Sequence, residues 1–146
     1  MADTKSSGYL IPQMMPVDGR AIFIPDKADV ASAPAVNDTV SFRLPAGLEL
    51  SQLRFVVPDM DTNGSPALAG KIGYKAVDPA SALVADDDYF KATGALGQAA
   101  GLVDCSFPPI TFQEDVMVQI TWTTVAATFA AGTVHMIAAG NAKGPR

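Results

Sequence analysis

Residues 56–68, VVPDMDTNGSPAL, place Asp59, Asp61, Asn63 and Gly64 at the spacing of the first half of an EF-hand calcium loop. Such a loop needs oxygen ligands at alternating positions, a glycine at the sixth and a bidentate glutamate at the twelfth. Counting from Asp59, the twelfth position is Gly70, so the closing carboxylate is missing. Strand-like runs flank the motif where an EF-hand has helices. These two departures exclude the EF-hand. Asp59, Asp61 and Asn63 remain candidate ligands of a weaker cation site, completed by Asp86–Asp88 if the fold joins the two loops. The competing reading, which is the expected one, is a turn between strands. Asn63-Gly64 tolerates positive φ, and aspartate side chains bond nearby backbone N–H groups.

Other chemistry is poorly supplied. His135 is the only histidine and Cys105 the only cysteine. A Cys–His nucleophile would need those two to meet in space. Zinc needs several such ligands at set spacings. No Walker or dinucleotide glycine motif and no G-x-S-x-G elbow is present. The sequence therefore names no catalytic residue and no cofactor.

Composition narrows the partners. The 146 residues are 49% hydrophobic and 17% charged, with a formal net charge of −5. That is apolar enough for a core in one domain, and the low charge suggests surface buried against something else. Lysine and arginine are scattered singly, so neither a phosphate-tracking surface nor electrostatic attraction to an anionic membrane is expected. A single cysteine excludes an intrachain disulfide. The start, MADTKSSGYL, lacks the apolar stretch of a signal peptide, and the apolar tract TVAATFAAGTVHMIAAG is too interrupted for a membrane span. Synthesis in a cytoplasm is the expectation.

The elements that must position these residues read as strands. Prolines and glycines punctuate the chain between short runs rich in β-branched and aromatic residues. RAIFIP (20–25) is the first run. In DTVSFRL (38–44) Val40, Phe42 and Leu44 share a face, and in SQLRFVV (51–57) Leu53, Phe55 and Val57 do so. ALAGKIGYKAV (67–77) sets Leu68, Ile72 and Tyr74 against Lys71 and Lys75. DVMVQITWTT (115–124) hides Val116, Val118, Ile120 and Trp122. GTVHMIAA (132–139) sets Val134, Met136 and Ala138 opposite His135 and Ile137. The fold class is all-β: an antiparallel β-sandwich with jelly-roll or Greek-key-like connections.

Three segments depart from this pattern. Residues 79–104, with Asp86–Asp88, predict an excursion holding one short helix near DYFKATGAL, its Tyr89 and Phe90 forming a contact surface. Residues 1–19 read as an N-terminal arm lying on a neighbour, through Tyr9, Leu10, Ile11, Met14 and Met15, or as an edge strand of the same domain. The sandwich occupies residues 20–139, and 140–146 form a flexible tail.

Three stretches carry a resemblance: VSFRLPAGLELSQLRFVVPDMDTNGSPALAGKIGYKAVD, then DDDYFKA, then PPITFQEDVMVQITWTTVAATFAAGTVHMIA. Over roughly residues 38–139 this succession resembles small structural proteins of tailed bacteriophages, the capsid decoration or cement proteins. The resemblance implies a jelly-roll-like β-sandwich without enzymatic activity, seated on the outside of the virion and bridging subunits of the phage major capsid protein. It implies self-association, with a homotrimer favoured over a dimer. The alternative is a receptor- or glycan-binding module of a head or tail fibre, using exposed aromatics at residues 89–90.

Overall fold

The computed structural model describes residues 1–9 and 20–144. Ten strands follow in chain order: β1 (Asp3–Lys5), β2 (Ala21–Val30), β3 (Thr39–Leu44), β4 (Leu48–Val57), β5 (Ala69–Ala76), β6 (Asp86–Ala95), β7 (Gly101–Cys105), β8 (Ile110–Thr111), β9 (Val116–Thr124) and β10 (Gly132–Ala142). They form two sheets, ordered β1-β3-β9-β5-β6 and β2-β10-β4-β7, with β8 also pairing with β4. Neighbours are antiparallel apart from β1, which lies parallel to β3.

The alternating runs land where their periodicity places them. Val40, Phe42 and Leu44 from one sheet meet Leu53, Phe55 and Val57 from the other, all buried. The Phe42 and Phe55 rings lie 5.6 Å apart across the interior. Trp122 continues the buried face of β9, and Val134, Met136 and Ala138 that of β10. The long strands β2, β4, β9 and β10 thus send most of their inward-facing side chains into one core between the sheets.

The helix expected within residues 79–104 does not form, and among the described residues there is no helix. Asp86–Asp88 instead open β6, the edge strand beside β5, and the chain crosses after Ala95 to β7 on the other sheet. Pairing with β5 overrides the local propensity of an alanine-rich run. The hydrophobic alternation that marks a strand is weak here because Phe90 is the one buried side chain of β6.

β5 and β6 approach closely through an irregular register between Gly70 and Tyr74. A Cβ on Gly73 would lie 2.0 Å from the Asp86 carbonyl oxygen and 2.4 Å from the Asp87 Cα. Neither is a flexible group. Gly73→Ala therefore displaces the start of β6 and lowers stability by about 1–3 kcal/mol, measurable by denaturant unfolding.

Both chain ends are tied down where they are described. β1 pairs with Thr39–Ser41 as an edge strand. The Ser7 N–H donates to the Lys27 carbonyl, so the segment after β1 bridges to the second sheet. β10 runs to Ala142, beyond residue 139, and the N–H groups of Lys143 and Gly144 donate to the Gly47 carbonyl. The stretch 140–144 is therefore no free tail: pairing with β2 and β4 continues through Gly140 and Asn141.

Candidate functional site

The DMDTNG motif lies between β4 and β5, where the chain passes from one sheet to the other. Asp61 is its centre. The residue is 1% exposed, and its carboxylate accepts four backbone hydrogen bonds. Oδ2 receives the N–H groups of Ala67 (2.7 Å), Leu68 (3.1 Å) and Ala127 (3.0 Å). Oδ1 receives that of Thr128 (2.8 Å). Burial opposes ionisation of this carboxyl, but the Thr128, Ala127, Ala67 and Leu68 N–H groups outweigh it and hold the group far below the usual aspartate range.

Three crossings between the sheets meet at this node. The Met60 and Asp61 N–H groups donate to the Gly97 carbonyl, in the β6–β7 connection. The Thr62 N–H donates to the Thr128 carbonyl and the Ala130 N–H to the Met60 carbonyl, in the β9–β10 connection. Gly97 has φ of 77°, a conformation suited to glycine. Asp61 thus locks one end of the sandwich.

This corrects the reading of the turn. Positive φ occurs at Asn37, Gly47, Gly97 and Gly144, not at Asn63 or Gly64. The bend is held by side chains instead: Asn63 Oδ1 accepts from the Ser65 N–H (2.9 Å), its Nδ2 donates to Thr128 Oγ1 (3.1 Å), and Asp59 Oδ1 accepts from the Asp61 N–H (3.2 Å).

The same bonds engage one oxygen each of Asp59 and Asn63 and both of Asp61. Asp59, Asp61 and Asn63 all spend acceptor capacity on backbone N–H groups. Asp86–Asp88 do not reach them. β6 runs antiparallel to β5, with Ala95 beside Ala69 and Asp86 beside Tyr74. Asp86 is therefore about five residues along β5 from the node, roughly 17 Å at strand rise. Asp87 pairs instead with Lys71 at 2.5 Å. No group of three or more His, Cys, Asp or Glu side chains that could hold a metal occurs among the described residues.

His135 and Cys105 point to opposite sides of one sheet. His135 is exposed in the row of Val56 and Leu102, while Cys105 shares a row with Leu53 and Ala138 and packs against the core. They form no nucleophile pair. Burial, with Lys91 opposing and Asp104 assisting, pushes the Cys105 thiol up to about 12, so it is overwhelmingly protonated at neutral pH.

The expected partner-binding aromatics are folded inward. Phe90 is 3% exposed, and Tyr89 is partly buried against the core. With Tyr74, Phe107 and Phe112 they form a cluster of edge-to-face rings, including Tyr74–Phe112 at 5.0 Å and Phe90–Phe107 at 4.8 Å. This cluster plugs the space between the sheets beside β6 and offers no flat platform. Tyr9 is also buried: its hydroxyl lies 3.9 Å from the Met117 sulfur, and Lys5 Nζ sits 4.3 Å over its ring. Leu10, Ile11, Met14 and Met15 lie outside the described residues.

The surface that sequence reasoning missed is the outer face of the β2-β10-β4-β7 sheet. Phe23, Val56 and Leu102 stand exposed there. In AIFIP every position is apolar, so the sequence did not distinguish an inward from an outward side chain.

No family model matches this sequence, and no curated protein matches it. Among solved structures, a chain in "Capsid of Ralstonia phage GP4" is similar with a TM-score of 0.74 and 20% identity, covering 99% of this chain and 100% of that one. A chain in "Cyanophage Pam1 capsid asymmetric unit" is similar with a TM-score of 0.69 and 18% identity, covering 93% of this chain and 94% of that one. The chain shares its fold, over nearly its whole length, with a chain from each of two phage capsids.

Proposed function

We propose that this protein is a non-enzymatic capsid decoration protein of a tailed bacteriophage. It binds the outer surface of the assembled head and stabilises the shell by bridging major capsid subunits. The observation that carries this reading is the end-to-end match with a complete chain of the Ralstonia phage GP4 capsid structure. The correspondence is with a whole small subunit and not with a domain inside a larger one.

The strand order supports the same reading. Leaving aside the short β1 and β8, the remaining strands in chain order are β2, β3, β4, β5, β6, β7, β9 and β10. One sheet takes the first, eighth, third and sixth of these, and the other takes the second, seventh, fourth and fifth. We read that interleaving as jelly-roll-like, an arrangement used by viral capsid domains. Two of the acidic side chains serve the fold. Asp61 locks loops, and the Arg43–Asp115 pair supports the β3–β4 turn, where Asp115 Oδ1 accepts the Ala46 N–H.

A ligand that binds only the assembled shell stabilises it by mass action. Several copies in one cluster multiply individually weak contacts. A trimer at local three-fold positions suits this best, with a dimer at two-folds as the other closed arrangement. Made in the host cytoplasm, the protein joins the head after the shell has formed. Mixed with capsid shells that lack it, the purified chain is expected to co-sediment with them at saturable stoichiometry and to ignore unassembled capsid subunits. Failure to co-sediment would remove the proposal. The glycan-binding alternative is less favoured, since Phe90 is buried and Tyr89 is partly buried against the core.

A further inference from the structure

The chain holds three asparagines, Asn37, Asn63 and Asn141. An asparagine loses its side-chain amide when the main-chain nitrogen of the next residue attacks Cγ. That attack needs a nitrogen free of other bonds, room to approach, and water. The fold withholds the free nitrogen at two of the three sites. After Asn37, the Asp38 N–H donates to the Ala35 carbonyl (3.1 Å). After Asn141, the Ala142 N–H donates to the Arg20 carbonyl (2.8 Å) at the paired end of β10. After Asn63, the Gly64 N–H has no hydrogen-bond acceptor among the described residues. Asn63, Gly64 and Ser65 are all exposed, and a Cβ on Gly64 would meet nothing within 4 Å, so neither water nor space is lacking.

We propose that Asn63-Gly64 is a self-modifying site, at which the folded chain loses the Asn63 amide and acquires aspartate or isoaspartate. The Ser65 N–H donates to Asn63 Oδ1 (2.9 Å), which folds the side chain forward over the Asn63–Gly64 peptide and draws electron density from Cγ. The Gly64 nitrogen gives its proton to a solvent base and bonds to Cγ. Negative charge then builds on Oδ1, facing the Ser65 donor. The Cγ–Nδ2 bond breaks, and the departing nitrogen takes a proton from water. Thr128 Oγ1, exposed and 3.1 Å from Nδ2, is placed to relay it. Ammonia leaves and a cyclic imide remains. Water opens the imide. Cleavage of the new Cγ–N bond restores the main chain and gives aspartate. Cleavage of the old peptide bond gives isoaspartate, with the main chain routed through Cβ.

Either product adds one negative charge to the formal −5, in the loop of Asp59 and Asp61. Isoaspartate also lengthens the main chain where Thr62 and Asn63 are tied to Thr128.

The test ages the full folded chain in neutral and in mildly alkaline buffer, then digests it with trypsin. The peptide of residues 55–71 contains Asn63 and no other asparagine. Mass spectrometry is expected to show this peptide gaining the mass of an amide turned acid, faster at the higher pH because the attacking nitrogen must be deprotonated. Asn37 and Asn141 should keep their amides over the same time, and isoaspartyl methyltransferase should label the aged chain. Gly64→Ala has room for its methyl group. It should melt like the parent and convert severalfold more slowly. Asn63 remaining intact in the folded chain, while a synthetic peptide of residues 55–71 converts, would overturn the proposal. So would conversion of Asn37 or Asn141 as fast as Asn63, or of Gly64→Ala as fast as the parent.

Discussion

Replacing Asp61 by alanine lowers the thermal midpoint by on the order of 10 °C, because four backbone N–H groups, that of Leu68 buried and the others partly so, lose their acceptor at once. Asp61→Asn falls between the two. One amide oxygen can still accept, but the NH₂ group must face at least one N–H donor, which leaves that pair unsatisfied. The loss is not confined to one loop. Asp61 binds Ala67 and Leu68 on its own connection and Ala127 and Thr128 on another, and its N–H donates to Gly97 on a third. The same geometry fixes a pH dependence. The folded carboxyl ionises well below an unfolded aspartate, whose value is about 3.9. Its contribution is therefore fully present above that value and is lost as pH falls from there towards the folded value. Thermal melts between about pH 6 and pH 3 should show the parent losing more stability than Asp61→Asn, which has no carboxyl to protonate.

Phe42→Ala destabilises the chain by about 3–5 kcal/mol. Phe42 is fully buried on β3 and meets Phe55 of β4 at 5.6 Å, so the ring spans the gap between the two sheets. Removing it leaves a void flanked by Leu44, Leu53 and the rest of a core whose backbone is fixed by sheet pairing. The sheets cannot close around the void without breaking register with β9 on one side and β10 on the other. Urea unfolding should show a lower midpoint with little change in slope. Phe42→Leu, which refills most of the volume, should recover a large part of the loss.

These two residues also show what the sequence could and could not tell. Phe42 was legible because it belongs to an alternating run, and alternation by itself assigns a side chain to the interior. The same holds for Trp122 and for Val134, Met136 and Ala138. β6 was hidden because an edge strand with one buried residue gives almost no periodic signal, and its alanines and aspartates suit a capped helix equally well. Asp61 was visible as an aspartate in a turn, but half of its partners lie at Ala127 and Thr128. Those positions are brought to it by the sandwich and not by proximity in the chain. Cation binding and N–H binding draw on the same carboxylate oxygens, so the short motif could not separate them. Tyr89 and Phe90 read as exposed because an excursion with a short helix was expected there. Once β6 pairs with β5, both rings turn towards Tyr74.

The central claim is that this chain stabilises an assembled phage head from outside, and the melting of the shell itself tests it most directly. Shells lacking the protein are heated with and without it while disassembly is followed by light scattering. The proposed role predicts a disassembly temperature that rises with added protein until the surface is saturated, and no such rise with the same chain denatured before mixing. A disassembly temperature unchanged at saturating protein would contradict it.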